Sequence, residues 1–268
     1  MPASAHLSHP AEQVGLIILD NPPRNFGTPE LAMCVLESLE AAMQADCKVC
    51  ILASDRPGYF LAHWSLQSII DTQQAGAPRA PLRPRQAGFF DVIEAMPMVV
   101  IAANNGQAWG GGSELSWACD LRIAAESATY GQPEVALGII PGGGGTTRLA
   151  RLVGQTRCMG MILDGRPITA RQALDMGAIN RVVPEDRLRT ESIAWASQMA
   201  RWPAWSLAAC KRSLYEGRDL PLEAARRNEG QIFQNVARRD DSLELMRQAQ
   251  AKYDAGYDSY EVLGFERR

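Results

Sequence analysis

The chain has 268 residues, of which 46% are hydrophobic and 21% are charged, and its formal net charge at pH 7 is −3. This composition is typical of a globular protein with one large domain, or one domain and an appendage, and so small a charge gives no electrostatic reason to expect nucleic acid as a main partner. Because no apolar run approaches the roughly 18 residues that a membrane-spanning helix needs, we expect a cytoplasmic protein without a membrane partner.

The cysteines favour a reducing compartment, since all six lie inside apolar segments without the spacing of a disulfide framework. Cys47 and Cys50 form a Cys-x-x-Cys pair, which a redox pair or half of a zinc site would require. The chain has no second such pair, and its three histidines lie at positions 6, 9 and 63. We therefore interpret the pair as two small apolar residues leading into a strand, and we predict no metal site.

The N-terminal part is predicted to alternate strands and helices. Residues 1–12 contain two histidines and no apolar run, which predicts a disordered lead and not a signal peptide. The apolar run 14–19 predicts a buried strand. Thr28, followed by a proline, is predicted to cap a helix, and residues 49–53 form the next strand. A strand, a helix and a strand over this length predict a parallel pair.

The next segment is predicted to lead into a buried strand. Residues 59–70 read as a loop entering a helix, and residues 73–85, rich in Pro, Ala and Arg, as a surface loop. Its three arginines either meet phosphates or are simply solvated. Residues 89–96 predict a helix that Pro97 ends. Residues 98–103 are the most hydrophobic run in the chain and predict a strand buried on both faces.

The remainder is predicted to become all helical. A strand is expected over 121–124 and a last short strand over 179–183. From residue 186 onward no segment has the pattern of a strand, and Trp202-Pro203 is a candidate boundary. The predicted helices cover 146–153, 155–163, 170–176, 186–201, 204–216, 221–237 and 240–253.

Residues 104–147 hold ten of the 23 glycines. Glycine allows the backbone to approach another group closely or to adopt positive φ. A strand that feeds a glycine turn and then a helix aims free N–H groups at whatever lies above the turn, which suits a phosphate or a developing oxyanion. Gly110 to Gly112 form this turn, and Ser113 is predicted to cap the helix. The stretch lacks the P-loop and dinucleotide patterns, and Leu115 stands where a nucleophile elbow needs glycine.

Two glutamates within this stretch are candidates for proton transfer. Glu114 lies near the start of a predicted helix, where the helix dipole alone could account for it. Glu134 follows Pro133 in an otherwise uncharged stretch. Apolar surroundings raise the pKa of a carboxyl group, which suits proton transfer near neutral pH. Spacing alone does not bring the two together, so a paired acid/base site and two unrelated acids both remain open.

Several motifs of the chain stand in a recognisable order and spacing: Met98 to Gly106, Gly110 to Leu115, Cys119-Asp120, Gly131 to Glu134, Gly138, Pro141 to Thr146, and Arg148-Leu149. In these motifs the chain resembles the enoyl-CoA hydratase/isomerase (crotonase) family over roughly residues 14–183, and more weakly in the tail. The resemblance implies an α/β fold: a crotonase-like spiral of ββα units over 13–200, and a helical C-terminal oligomerisation region over 201–268. It also implies assembly as a homotrimer or a dimer of trimers.

Members of that family bind acyl-CoA thioesters, so the resemblance implies a lyase of fatty acid metabolism that hydrates a 2-enoyl-CoA to a 3-hydroxyacyl-CoA through an enolate. By position, the backbone N–H groups of Trp64 and Gly111 would form the oxyanion hole. Glu114 would deprotonate the water that attacks C3, and Glu134 would exchange the proton at C2. No metal or redox cofactor is implied, since coenzyme A is part of the substrate. The residues implied to contact substrate or CoA are Arg24, Ala62, His63, Leu66, Gly110, Pro133 and Gly142.

One departure from the family's pattern keeps other reactions open. His63-Trp64-Ser65 stands where the family usually has Gly-x-Asp. Trp64 still has an N–H, and Ser65 can cap the next helix, but the bulky pair can alter the fit of the acyl group, and His63 either joins the chemistry or only packs. The alternatives are an isomerase, decarboxylase, retro-aldol enzyme or hydrolase of the same family, or a non-catalytic acyl-CoA-binding protein. The intact glutamate pair argues against the last of these.

Overall fold

The computed structural model describes residues 2–75 and 88–265. The chain divides into two compact units, one ending at Ala204 and the other beginning at Trp205. The predicted surface loop over 73–85 lies outside the described residues from position 76 onward, and so do its three arginines. Within the described ranges, no helix is both long enough and apolar enough to cross a membrane.

The first sheet has six strands in the order β1-β2-β3-β5-β7-β10. All neighbours are parallel except β1 and β2. Every residue of β3 and β5 is buried, which confirms the predicted strand with two covered faces. The strands are β1 (Ser4–Ala11), β2 (Val14–Asp20), β3 (Val49–Ser54), β5 (Val99–Asn104), β7 (Leu121–Ala125) and β10 (Arg181–Val183).

The prediction of a disordered lead over residues 1–12 was wrong, because β1 occupies most of it. β1 pairs antiparallel with β2, from Ser4 opposite Asp20 to Ser8 opposite Leu16. It is an edge strand of the sheet, and its side chains are exposed or half-buried. An edge strand with exposed side chains needs no apolar run. The polar composition of residues 1–12 is therefore as typical of an edge strand as of a disordered segment.

The second sheet has four short strands in the order β4-β6-β8-β9. The first three are parallel, and β9 is antiparallel to β8. Successive strand pairs, such as β5 and β6, place one strand in each sheet, which is the expected spiral of ββα units. None of these strands was predicted, because two to four residues are too few to show a period. They are β4 (Gly58–Leu61), β6 (Gly106–Trp109), β8 (Thr129–Gly131) and β9 (Ile168–Thr169).

The helices of the first unit fall close to their predicted positions. Thr28 caps α1, its hydroxyl accepting from the Leu31 N–H at 3.2 Å. Ser65 caps α2 in the same way, accepting from the Ser68 N–H. The helices are α1 (Pro29–Gln44), α2 (Leu66–Gln74), α3 (Phe89–Ala95), α4 (Gly111–Ala118), α5 (Arg148–Val153), α6 (Gln155–Asp164), α7 (Ala170–Asp175) and α8 (Leu188–Ala200), with 3-10 turns at Pro133–Leu137 and Glu185–Arg187.

The second unit, as far as it is described, is helical throughout, as predicted. It consists of α9 (Ala204–Gly217), whose first residue closes the first unit, α10 (Leu222–Ala237), α11 (Asp240–Asp254) and α12 (Ser259–Leu263). All six cysteines of the chain carry free thiols, and Cys50 is buried within β3.

Candidate active site

Two segments approach each other closely where the second sheet ends. Leu61 of β4 pairs with Ala108 of β6, and the Trp109 N–H then donates to the Ala62 carbonyl oxygen at 3.1 Å. A Cβ at Gly112 would lie 1.9 Å from the Leu61 carbonyl oxygen. Only a residue without a side chain fits there, so the close approach itself requires glycine.

This approach brings the backbone N–H groups of Trp64 and Gly111 together. Trp64 lies opposite Gly27 in a parallel bridge whose two hydrogen bonds are made by the residues on either side of Trp64. The Gly27 N–H donates to the His63 oxygen, and the Ser65 N–H donates to the Gly27 oxygen. A Cβ at Gly111 would lie 3.2 Å from the Trp64 nitrogen, and Gly111, as the first residue of α4, has no helical acceptor for its N–H. Within residues 2–75 and 88–265, neither N–H donates a hydrogen bond to the protein.

The turn before α4 corrects one prediction. Gly110 is the N-cap, at φ 48°, and donates from its N–H to the Gly131 oxygen at 2.8 Å. Ser113, predicted to be the cap, lies two residues inside the helix. Its hydroxyl donates to the Ala108 oxygen and accepts from the Gly131 N–H. Ser113 therefore joins β6 to β8. It is not the cap, because Gly110 already occupies that position.

Glu114 is buried on α4, with 5% of its surface exposed. Its Oε1 accepts from the N–H groups of Gly143, at 2.6 Å, and Gly145, at 2.9 Å. Burial raises the pKa of Glu114, and the two N–H donors and the charge of Arg148 oppose the rise. Because both donors bind Oε1, Oε2 is the oxygen left to act as a base.

Glu134 lies on the 3-10 turn after β8 and is 8% exposed. Burial raises its pKa to about 7; a backbone hydrogen bond opposes the rise and the charge of Glu114 adds to it. In the amide orientation in which the Gln132 oxygen accepts from Trp117 Nε1, the Gln132 nitrogen donates to both carboxylate oxygens of Glu134, at 3.0 and 3.1 Å. A Cβ at Gly110 would lie 2.9 Å from Glu134 Oε1. The charge of Glu114 thus acts on the pKa of Glu134, and Glu134 borders the same glycine turn as the N–H pair.

Arg148 anchors the loop that holds Glu114. Its guanidinium donates to Glu94 at 2.6 Å and to Asp91 at 2.5 Å, both on α3. Its Nη1 donates to the Gly143 oxygen at 2.9 Å. Arg148 had no predicted role. An arginine three residues after a glycine run was the available signal, because its fork can hold a loop by several bonds at once.

The remaining predicted contact residues have different environments. Ala62 is buried between β4 and β6, whereas Leu66 at the start of α2, Gly142 and Arg24 are exposed. The Arg24 guanidinium lies 6.0 Å from the centroid of the Tyr59 ring.

His63 and Pro133 are half-buried. Nδ1 of His63 hydrogen-bonds the Trp64 oxygen at 2.7 Å, and its ring packs 4.7 Å from Phe26. Pro133 starts the 3-10 turn that carries Glu134. Among the described residues, no group of three or more His, Cys, Asp and Glu is arranged to hold a metal ion.

Comparisons with known proteins give matches over most of the chain. The family model for enoyl-CoA hydratase/isomerase matches residues 10–256. The chain is 34% identical to the 2,3-dehydroadipyl-CoA hydratase of Escherichia coli, with 87% of this chain and 90% of that protein aligned. It is 34% identical to a probable enoyl-CoA hydratase of Rhizobium meliloti, over 91% and 94% of the two chains. The crystal structure of an enoyl-CoA hydratase from Bacillus anthracis superposes with a TM-score of 0.82 at 31% identity, covering 93% and 96% of the two chains.

Proposed function

Because the chain belongs to the enoyl-CoA hydratase/isomerase family, we propose that it is a lyase that adds water to a 2-enoyl-CoA thioester and forms a 3-hydroxyacyl-CoA. One observation carries the proposal: two buried acids, Glu114 and Glu134, border a pair of backbone N–H groups that have no acceptor within the described protein. The hydratase names of the relatives support the same reaction class.

The N–H pair is suited to the thioester oxygen. When water adds to C3, electrons move from the C2–C3 double bond onto the carbonyl oxygen, which becomes an enolate oxygen. The N–H groups of Trp64 and Gly111 are fixed by a bridge and by a helix start, so they need no rearrangement to receive that charge. Fixed donors of this type commonly contribute ~3–4 kcal/mol each to the transition state.

The acids complete the proton balance. Glu114 accepts a proton from water as the water oxygen bonds to C3, and Glu134 donates its proton to C2 as the enolate collapses. A pKa of about 7 keeps Glu134 largely protonated below neutral pH, as a proton donor requires. In the reverse direction Glu134 takes the C2 proton, and Glu114 protonates the departing hydroxyl. No metal or redox step is needed in this scheme, and coenzyme A enters only as part of the substrate.

The main alternative is double-bond isomerisation, for which an acid at position 134 is sufficient. Glu114 favours hydration, because its Oε1 is held by two N–H groups and Oε2 remains for a water. The test is to incubate the protein with crotonyl-CoA and longer 2-enoyl-CoAs and to analyse the products by mass. A product heavier by one water supports hydration, an isomer of unchanged mass supports isomerisation, and no conversion at all would refute the enzymatic proposal.

Arg24 is proposed to contact the phosphates of CoA. It is exposed in the turn after β2, and a guanidinium is well suited to phosphate oxygens. Arg24→Ala is expected to weaken CoA binding at low salt and to have less effect at high salt, because salt screens exposed charges. An unchanged affinity at low salt would remove Arg24 from the site.

Assembly as a homotrimer or dimer of trimers in the cytoplasm is also proposed. The second unit exposes more apolar surface than a peripheral helical unit usually does. Light scattering at micromolar concentration is expected to give three or six chains, and a monomer would contradict the proposal. Its exposed apolar residues include Leu214, Leu220, Leu222, Phe233, Leu245 and Met246.

A further inference from the structure

Three aromatic side chains pack together beside the acids and the N–H pair. We call Trp64, Phe89 and Phe90 the aromatic wall; all three are half-buried. The ring centroids lie 6.0 Å apart for Trp64 and Phe90, 6.2 Å for Trp64 and Phe89, and 5.1 Å for the two phenylalanines. The interplanar angles run from 49° to 65°, so the rings are tilted and none lies parallel to another.

The wall extends from the proposed oxyanion hole to the proposed base. At one end, Trp64 supplies an N–H of the hole from its own backbone. At the other end, a Cβ at Gly143 would lie 2.1 Å from Cε2 of Phe90 and 2.7 Å from Oε2 of Glu114. The Phe90 ring edge and the unbonded oxygen of Glu114 therefore flank the same point.

We infer that the aromatic wall selects a flat aryl group on C3, so that the preferred substrate is a 3-aryl-2-propenoyl-CoA thioester. The inference rests on the proposed function, because that function places the carbonyl oxygen at Trp64 and C3 beside Glu114. The substituent on C3 then passes the ring of Phe90. An aryl group conjugated with the double bond is flat, and because no two rings of the wall are parallel it lies tilted against at least two of them. Tilted contacts are among those that aromatic pairs prefer.

Other acyl groups gain less from this wall. A saturated acyl chain gains only the burial of its apolar surface and makes no edge-to-face aromatic contact with the rings. An acyl group that ends in a second carboxylate, as in the dehydroadipyl group that names the Escherichia coli relative, gains nothing from apolar rings. Arg148, which binds the Gly143 oxygen, is already paired with Asp91 and Glu94.

The test compares dehydration of 3-hydroxy-3-phenylpropanoyl-CoA with that of 3-hydroxyhexanoyl-CoA. Dehydration is the useful direction, because conjugation with the ring favours the aryl product. In this step the C2 proton passes to Glu134, and the C3 hydroxyl leaves as water with a proton from Glu114. The wild-type protein is expected to have a higher kcat/KM for the aryl substrate. Phe90→Leu is expected to lower the aryl-to-alkyl ratio of kcat/KM about 2- to 10-fold, the equivalent of one aromatic contact, whereas the ring-retaining Phe90→Tyr keeps it.

Each result has a distinct meaning. A wild-type protein that prefers the alkyl substrate, or a Phe90→Leu variant that lowers kcat/KM equally for both substrates, overturns the inference and leaves the proposed function intact. If Phe90→Leu does not fold by circular dichroism, Phe89→Leu is measured in its place against the same expectation. If the wild-type protein converts neither substrate and does not hydrate crotonyl-CoA, the proposed function fails, and the inference fails with it.

Discussion

Arg148 donates from Nη1 to the carbonyl oxygen of Gly143 at 2.9 Å. The N–H of the same glycine donates to Oε1 of Glu114 at 2.6 Å. Arg148 also binds Asp91 and Glu94 on α3. The position of the proposed base therefore depends on a loop that is itself held by an ion-pair cluster, and Arg148 acts on Glu114 both through the loop and through its charge.

Substitution of Arg148 separates these two effects. The charge of Arg148 lowers the pKa of Glu114, and hydration needs Glu114 ionised, so Arg148→Met should move the acid limb of the pH–rate profile to higher pH. Arg148→Lys keeps the charge but loses the fork, so kcat should fall while the acid limb stays close to that of the wild type. Misplacing a reacting group by about 1 Å commonly costs up to ~100-fold in rate. Identical profiles for the two variants would contradict the electrostatic part, and urea unfolding checks that both variants are folded.

Gly143 is expected to tolerate no side chain. A Cβ there would meet the Phe90 ring at 2.1 Å and Glu114 Oε2 at 2.7 Å, both far inside contact distance. Gly143→Ala should therefore displace the base and lower kcat for hydration by roughly 10-fold or more. Gly160→Ala is the matched control, because a Cβ at this helical position has no atom within 4 Å and alanine favours helix. Equal hydration rates in the two variants would show that the loop does not position Glu114.

The sequence predicted the parts of the fold that have a strong local pattern. The apolar strands β2, β3 and β5 and the capped helix α1 were found because burial and capping leave a signature in consecutive residues. The edge strand β1 was missed because it is polar. The strands of the second sheet were missed because they are short and owe their existence to partners far along the chain.

The candidate site, too, was predicted from the sequence only in part. Glu114 and Glu134 were candidates from the residues alone, which left open whether they form a pair. The family resemblance supplied their pairing and the roles of Trp64 and Gly111. The role of Arg148 in holding the base, and the approach of Phe90 to Gly143, were not predicted. These are contacts of α3 with the start of α5 and with the loop before it, more than 50 residues apart in the chain. No local pattern encodes a contact of this range.

The pH dependence follows from the two raised pKa values. Hydration begins with Glu114 ionised and Glu134 protonated, and it ends with the proton on Glu114 and Glu134 ionised. Both directions therefore require one proton on the pair. Since the pKa of Glu134 is raised to about 7, kcat/KM should fall as pH rises through about 7 in both directions. It should also fall at lower pH, where Glu114 becomes protonated. The measurement is kcat/KM for crotonyl-CoA and 3-hydroxybutyryl-CoA from about pH 5 to about pH 9; a hydration rate that stays level across pH 6 to 9 would contradict the assignment.

The two glutamates can be separated by replacing each with glutamine, which keeps the shape and some hydrogen bonding but removes the base. Exchange of the C2 hydrogen needs only an acid at position 134 and the enolate held by Trp64 and Gly111, whereas addition of water also needs Glu114. General acid–base groups are commonly worth ~10²–10⁴-fold in rate. Glu134→Gln should therefore lose both hydration and exchange of the C2 hydrogen in a saturated acyl-CoA. Glu114→Gln should lose hydration by a similar factor yet retain measurable exchange.

Deuterium uptake and hydration are measured side by side on variants whose folding is checked by circular dichroism. If Glu114→Gln hydrates at nearly the wild-type rate, then Glu114 serves only to anchor the glycine loop, and isomerisation becomes the better account of the site.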